Sequence, residues 1–254
     1  MKLASIINVW ADCACLLPHC IKNHLQFCDG VIVVWSQHSN HWEKNDAVLE
    51  YILANGHDSR VEFIQLEPMR GQKPLFNETR KRNHGIDIAG EKGFTHFLIA
   101  DADEFYVAED VIEEKKRFDN PSLNGLVCGS FVFVKSPLYW TDTYTRVAFI
   151  QKVTKDVSVG NFKGFPFAYH GKTAFIDPSR RISHTKGIEF SEIMMHHMSY
   201  IRKNIDLKIE NSSANLRRSK KVIYAELRDA KPGYFSKLYH QRLEECENFF
   251  NIQL

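Results

Sequence analysis

Short apolar runs alternate with helix-patterned stretches through the first hundred residues. Leu3 to Val9, Val31 to Trp35, Val61 to Leu66 and Phe97 to Ala100 are compact and rich in β-branched residues. Runs of this length suit strands buried on both faces of a parallel sheet. Between them lie three stretches of helical character. Leu16 to Phe27 has Pro18 in its first turn, where proline is tolerated, and stops at Asp29-Gly30. Glu43 to Asn55 is amphipathic and ends at Gly56, and Glu78 to Ala89 follows Asn77 as a predicted N-cap. Strands and helices alternating through short connections predict an α/β fold with a Rossmann-like, doubly wound, mostly parallel sheet.

The pattern changes after residue 105. Glu109 to Phe118 is a charged helix, its mixed charge run read as a solvated face with i, i+4 pairs. Gly125 to Val134 is another strand, and Phe167 to Ile176 reads as a hairpin. A strand-like Glu192 to Met195 precedes His196-His197, with Tyr200, Arg202 and Lys203 on a following helix. The tail is polar, with Arg217, Arg218, Lys220 and Lys221 as a basic cluster, then a helix and an amphipathic segment over 235–250. A smaller antiparallel part therefore completes one domain over residues 1–210. Its halves are 1–106 and 107–210, with a helical extension over 211–254 packed on the same domain.

Composition adds limits more than direction. A chain of 254 residues with 44% hydrophobic and 25% charged residues is ordinary for one globular domain, and a net charge of +2 selects no partner. No apolar run reaches transmembrane length, and the N-terminus reads as a first strand, so a cytoplasmic location is expected. Of six cysteines, Cys20 and Cys28 flank His24 at helical spacing. That spacing admits a zinc site but matches none of the usual paired patterns, and one apolar helix face is the favoured reading.

The chemistry gathers at Phe94 to Phe105, FTHFLIADADEF. Asp101, Asp103 and Glu104 follow a buried strand directly, where open α/β sheets place their ligands. Carboxylates are rarely buried unless paired or bound to metal. Side chains alternate along an extended segment, so Asp101 and Asp103 are expected on one side, half of an oxygen site for Mn2+ or Mg2+.

The block NETRKRNHGIDIAGEKGFTHFLIADADEF resembles the centre of the GT-A glycosyltransferases, notably the family-two group. There an Arg-Asn pair on a helix leads into a strand ending in D-x-D, places taken here by Arg82-Asn83 and Asp101-Ala102-Asp103. The resemblance covers roughly residues 1 to 110. It implies a GT-A fold and a metal-dependent transfer of sugar from a nucleotide-diphosphate-sugar, a UDP-sugar favoured, to a hydroxyl. The acceptor is left open among a glycan, a lipid-linked glycan, a protein and modified DNA.

By that resemblance Asn8, Trp10, Ser36 and Gln37 fall in the donor-binding loops, although the usual Asp-x-x-Ser-x-Asp pattern lacks both aspartates here. Arg82 becomes a phosphate or structural contact, and Asp101 a ribose contact or a metal ligand. Asp103 with His196 or His197 would hold the metal. Arg70 and Lys73 are candidates for a pyrophosphate flap, Arg202 and Lys203 for a cation on the leaving group. Tyr139, Trp140 and Tyr144 are candidates for a sugar platform. Asp142, Asp177, Glu189 and Glu192 stand as unresolved candidates for a catalytic base. Two rival readings are a nucleotidyltransferase and a non-catalytic sugar- or nucleic-acid-binding module. The loop after the first strand, NVWADCAC, has no glycine to cradle a triphosphate, which opposes the former.

Overall fold

The computed structural model describes residues 1–54, 58–143, 145–162, 167–169, 172–177, 179–183, 186–211 and 220–253, without side chains over 167–169 and 172–176. In the first half the elements are β1 (Leu3–Val9), α1 (Leu17–His24), β2 (Gly30–Trp35), α2 (Ala47–Ala54), β3 (Val61–Gln65), α3 (Pro74–Glu91), β4 (His96–Asp101) and β5 (Glu104–Phe105). The second half holds α4 (Ala108–Lys115), β6 (Gly125–Phe133), β7 (Tyr139–Asp142), β8 (Thr145–Lys152), β9 (Val159–Gly160), β10 (Phe167–Tyr169), β11 (Lys172–Ile176), β12 (Arg181–Ile182) and β13 (Ile188–His197). Then come α5 (Ile205–Asn211), α6 (Lys220–Asp229) and three two-residue strands, β14 (Phe235–Ser236), β15 (Gln241–Arg242) and β16 (Glu244–Glu245).

Strands β3, β2, β1 and β4 pair in parallel in that order, the doubly wound half expected from the sequence. Beyond β4 the sheet turns mixed. β8 joins β4 antiparallel, β6 joins β8 antiparallel, and β13 lies parallel to β6. The fold class is thus the predicted one, a parallel α/β half continued by a smaller part with antiparallel pairing. The expected hairpin over 167–176 is present as β10 and β11.

Alternation along the parallel strands builds a core on each face. Leu3, Ile7, Val31, Val33 and Leu98 meet Leu17, Cys20 and Ile21 of α1 on one side. Ala4, Ile6, Ile32, Val34, Phe97 and Ile99 meet Ile86 and Ala89 of α3 on the other. A third cluster joins Val132 and Val134 to Ile209, Ile223 and Leu243, which is how the polar tail is held.

Several boundaries differ from expectation for local reasons. The α2 helix begins at Ala47 because Ser39 Oγ accepts from the His41 and Glu43 amides and folds the chain into a turn first. The α3 helix starts at Pro74, so Asn77 is internal; its side chain pairs with the Met69 backbone through both amide atoms. Tyr200, Arg202 and Lys203 lie before α5, outside a helix, and 235–250 forms short strands and turns. Among the described residues no helix is long and apolar enough to cross a membrane.

Gly85 marks where α3 presses closest on the sheet: a Cβ there would stand 2.3 Å from Ile6 Cγ2 and 3.3 Å from Val34 Cγ2. Overpacking of that kind costs about 1–3 kcal/mol, against about 1 kcal/mol gained from alanine's helix propensity. Gly85→Ala should therefore lower stability, read as a reduced urea midpoint at unchanged slope. A stabilised variant would contradict the close approach.

Candidate functional site

The site is built around the turn that ends β4. Asp101 is the last residue of that strand, and its amide donates to Glu104 Oε2 at 3.0 Å, closing the acidic turn on itself. The Ala102 amide donates to the Asn8 carbonyl, tying the turn to the end of β1. From Glu104 the chain runs antiparallel to the end of β13, with Glu104 opposite His197 and Phe105 opposite His196. This pairing brings the late strand's histidines to the acidic turn.

Helix α1 holds the turn from beneath. The Asn23 side chain donates to the Tyr106 carbonyl at 2.8 Å and accepts from the Tyr106 amide at 3.0 Å. Cys20 Sγ donates to the Glu104 carbonyl at 3.4 Å. His24 places Nδ1 2.7 Å from Ser5 Oγ and Nε2 3.1 Å from the Glu104 carbonyl. Burial lowers this imidazole to about 4, so it is neutral and works as a strut. With both ring nitrogens engaged it has no lone pair for zinc, and the packing reading of Cys20, His24 and Cys28 stands. Burial pushes the Cys28 thiol up as well.

A cleft of about 260 Å³ opens above the turn, at the carboxyl ends of the parallel strands. Asp101 and Asp103 both line it, but they serve different partners. Asp101 accepts from Arg82 at 2.9 Å and Arg180 at 2.7 Å. Arg180 also grips Glu104, at 2.7 and 2.5 Å. Asp103 accepts from Arg202 and from Lys208, the latter at 3.1 Å, with His197 Nε2 at 3.3 Å. Burial pushes the Asp103 carboxyl up, yet Lys208, His197 and Arg202 outweigh it and hold it well below the usual carboxylate range. Burial is likewise outweighed at Asp101, by Arg82 and Arg180, and its carboxyl is lowered. At Glu104 burial prevails over Arg180 and the carboxyl is raised.

The adjacent histidines point opposite ways, as alternation requires. His197 faces the cleft. His196 is buried among Phe131, Phe133, Phe249 and Phe250, with its imidazole lowered to about 4 by burial. The fold therefore turns His196, one of the two candidate ligands, away from the cleft and leaves His197 facing it.

Of the donor-loop residues, Asn8 and Trp10 line the cleft. Asn8 is 8% exposed, and among the described residues neither amide atom has a hydrogen-bond partner. Trp10 donates its indole N–H to the Gln37 carbonyl. Ser36 and Gln37 do not reach the cleft; Gln37 bonds Asp46, and His38, Ser39 and Asn40 take their place on the wall.

Asp177 is the base candidate that lines the cleft. Burial raises its carboxyl, but Arg180 and Arg82 outweigh that and keep it ionised. Glu189 sits at the far end of β13, paired with Arg117 at 2.6 Å. Asp142 faces Phe131 across the β6–β7 pair, and Glu192 lies on the exposed side of β13. Tyr139 and Trp140 are on β7, with Trp140 packed on Phe131, while Tyr144 falls outside the described residues. Arg70 stands over the Trp42 ring and Lys73 is exposed, neither in the cleft. Arg202 is buried against Asp12 and Asp103, Lys203 is exposed, and Arg217 and Arg218 are outside the described residues.

Three participants escaped the sequence reading. Arg180 comes from an irregular segment between β11 and β12, and Lys208 from α5. Lys81 sits in the charged run Arg80-Lys81-Arg82, yet it is buried, with Nζ 2.6 Å from Ser36 Oγ. A signal was available: Asn77, Lys81, Arg82, Gly85, Ile86 and Ala89 form one buried stripe of α3. The Arg-Asn pair divides its work. Arg82 braces Asp101, while Asn83 pairs with both backbone groups of Val159, holding β9.

The fold and site define an α/β protein with a charged cleft at the switch from parallel to mixed pairing. No protein-family model matches the chain, and no curated protein does. Among solved structures it is similar in part to S. aureus TarS, at 18% identity and a TM-score of 0.37 over 52% of this chain and 22% of that one. S. aureus TarS 1-349 in complex with UDP-GlcNAc matches at 17% identity and a TM-score of 0.38, over 52% of this chain and 35% of that one. CMP:2-keto-3-deoxy-manno-octonic acid synthetase complexed with CTP matches at 11% identity and a TM-score of 0.34, over 60% and 72%.

Burial lowers the Lys81 ammonium from 10.5 to about 8. Between those pH values the unfolded chain holds more protons, so this group makes stability rise with pH, by up to about 3 kcal/mol. Lys81→Met should abolish that rise in thermal unfolding followed from pH 7 to pH 11. An unchanged profile would mean that Lys81 titrates as an exposed lysine.

Proposed function

We propose that the chain is a glycosyltransferase of GT-A type, taking a nucleotide-diphosphate-sugar as donor and a hydroxyl as acceptor. The observation that carries this reading is the position of Asp103: a buried carboxylate at the end of a central parallel strand, facing a cleft with His197 beside it. Open α/β sheets take their ligands outside the carboxyl ends of such strands, which supports the cleft as the donor site. The Asn8 amide, buried on the cleft wall and without a hydrogen-bond partner among the described residues, has an NH2 and a carbonyl oxygen that suit the polar edge of a nucleoside.

A divalent cation is consistent with the residues present. Asp103, Glu104 and His197 offer ligand atoms within 4.8 Å of one another. Arg180 engages both Glu104 oxygens, which narrows the set to Asp103 and His197, whose 3.3 Å separation suits neighbouring ligands of one ion. Mn2+ or Mg2+, when bound, supplies Lewis-acid stabilisation of the departing diphosphate.

The chain's own groups do the rest. Arg82 and Arg180 fix Asp101 and Glu104, so the acidic turn keeps its shape when charge is added. Asp177, ionised and on the cleft wall, is the carboxylate best placed to take the acceptor's proton. The nucleotidyltransferase reading fares worse, because the loop after β1 is a tight 3-10 turn, Ala11–Cys13, beside a buried Trp10. It forms no open glycine-rich cradle.

UDP or GDP should raise the melting temperature with Mn2+ and not with EDTA. Slow release of nucleoside diphosphate from a UDP-sugar should accompany binding and fall at least a hundredfold in Asp103→Asn. That variant strands buried cations at a cost of about 3–5 kcal/mol. His197→Gln, which strands none, should therefore show the same loss of metal-dependent binding with little loss of stability. A folded protein that binds no nucleoside diphosphate under either condition would sink the reading.

A further inference from the structure

Asp103 carries more partners than its donor-site role requires. Arg202, Lys208 and His197 all converge on the same carboxylate oxygen, Oδ2. Arg202 is anchored independently: its side chain is fully buried and also bonds the Asp12 carboxylate at 3.1 Å and the Asp12 carbonyl at 3.0 Å. Lys208 is not. Among the described residues Asp103 is its one ion-pair partner, and its side chain lines the cleft.

The element that bears Lys208 spans the cleft. From Asp103 on one wall, α5 runs to Asn211, whose amide donates to Glu43 Oε2 at 3.0 Å on the loop after β2. Asn211 lines the cleft as well. A lysine is a point charge on a flexible four-carbon stem with three donors, able to change partner without moving its helix.

We infer that Lys208 is a diphosphate-contacting residue of the donor site, held on Asp103 in the free protein and released to the donor's phosphates when a divalent cation takes that carboxylate oxygen. This rests on the donor-site reading above. Two side-chain cations and a divalent ion cannot share one carboxylate oxygen without strong mutual repulsion, and Arg202 is the cation that is fixed. The mobile ammonium leaves, and an anion in the cleft receives it in a charge-assisted hydrogen bond.

The two halves of this exchange give opposite signs in one variant. Lys208→Met removes a competitor of the metal and a partner of the phosphate, while Arg202 and His197 keep Asp103 paired and the fold intact. Titrated alone and followed by electron paramagnetic resonance, Mn2+ should bind the variant several-fold more tightly than the wild type. With Mn2+ saturating, UDP measured by calorimetry should bind about tenfold more weakly, the loss of one charged hydrogen bond. Lys208→Arg should restore most of the UDP affinity. If Lys208 only braces the fold, both affinities fall together, and the inference fails. It fails also if the wild type binds UDP with Mn2+ and the variant binds it equally, although the donor site then stands. A wild type that binds neither UDP nor GDP removes the donor site and the inference together.

Discussion

Everything in the cleft depends on neutralising a buried acidic turn. Asp101, Asp103 and Glu104 sit within four residues, and the latter two are almost wholly enclosed. Carboxylates so placed are costly unless each meets a cation in good geometry. The structure meets that demand from three directions: Arg82 from α3, Arg180 from the segment before β12, and Arg202 with Lys208 from the chain beyond β13. Guanidinium is suited to the enclosed positions because it stays charged and presents a planar fork to two carboxylates at once, as Arg180 does.

The sheet's change of direction gives these groups a place to meet. Four parallel strands bring their carboxyl ends to one edge, and β4 turns there into β5 rather than continuing. Since β5 pairs with the last residues of β13, the late strand delivers one histidine to the cleft and one to an aromatic cluster. Of the two covalent neighbours, one thus lines the cleft and the other packs. Beneath, α1 spends its polar side chains on backbone groups of the turn, so the carboxylates are presented on a rigid support.

The strand and helix order was legible because parallel strands buried on both faces leave unbroken apolar runs. The acidic cluster was legible because three carboxylates behind such a run have few structural explanations. Boundaries were harder where side chains compete with the helix, as Ser39 does before α2 and Asn77 does inside α3. The cations were hardest. Lys81 and Arg82 look like a solvated face in one dimension, and only the apolar residues at helical spacing behind them betray their burial. Arg180 lies in an irregular stretch and Lys208 in one whose Ile205, Leu207 and Ile209 alternate like a strand although it forms α5, and their role depends on contacts across 76 and 105 residues. Of two adjacent histidines, alternation could say that one faces in, but only the strand's register decides which.

That long reach bears on how the protein is made. On a ribosome the acidic turn emerges well before Arg180, Arg202 and Lys208, so its carboxylates wait in water for partners still to be synthesised. The parallel strands can pair early, yet the cleft closes only after the late strand docks. A fragment ending soon after Phe105 would keep most of one hydrophobic face and almost none of the charge that lets the turn be enclosed. Such a piece should collapse with an open, hydrated rim, and the native interior of the site would belong to the last stage of folding.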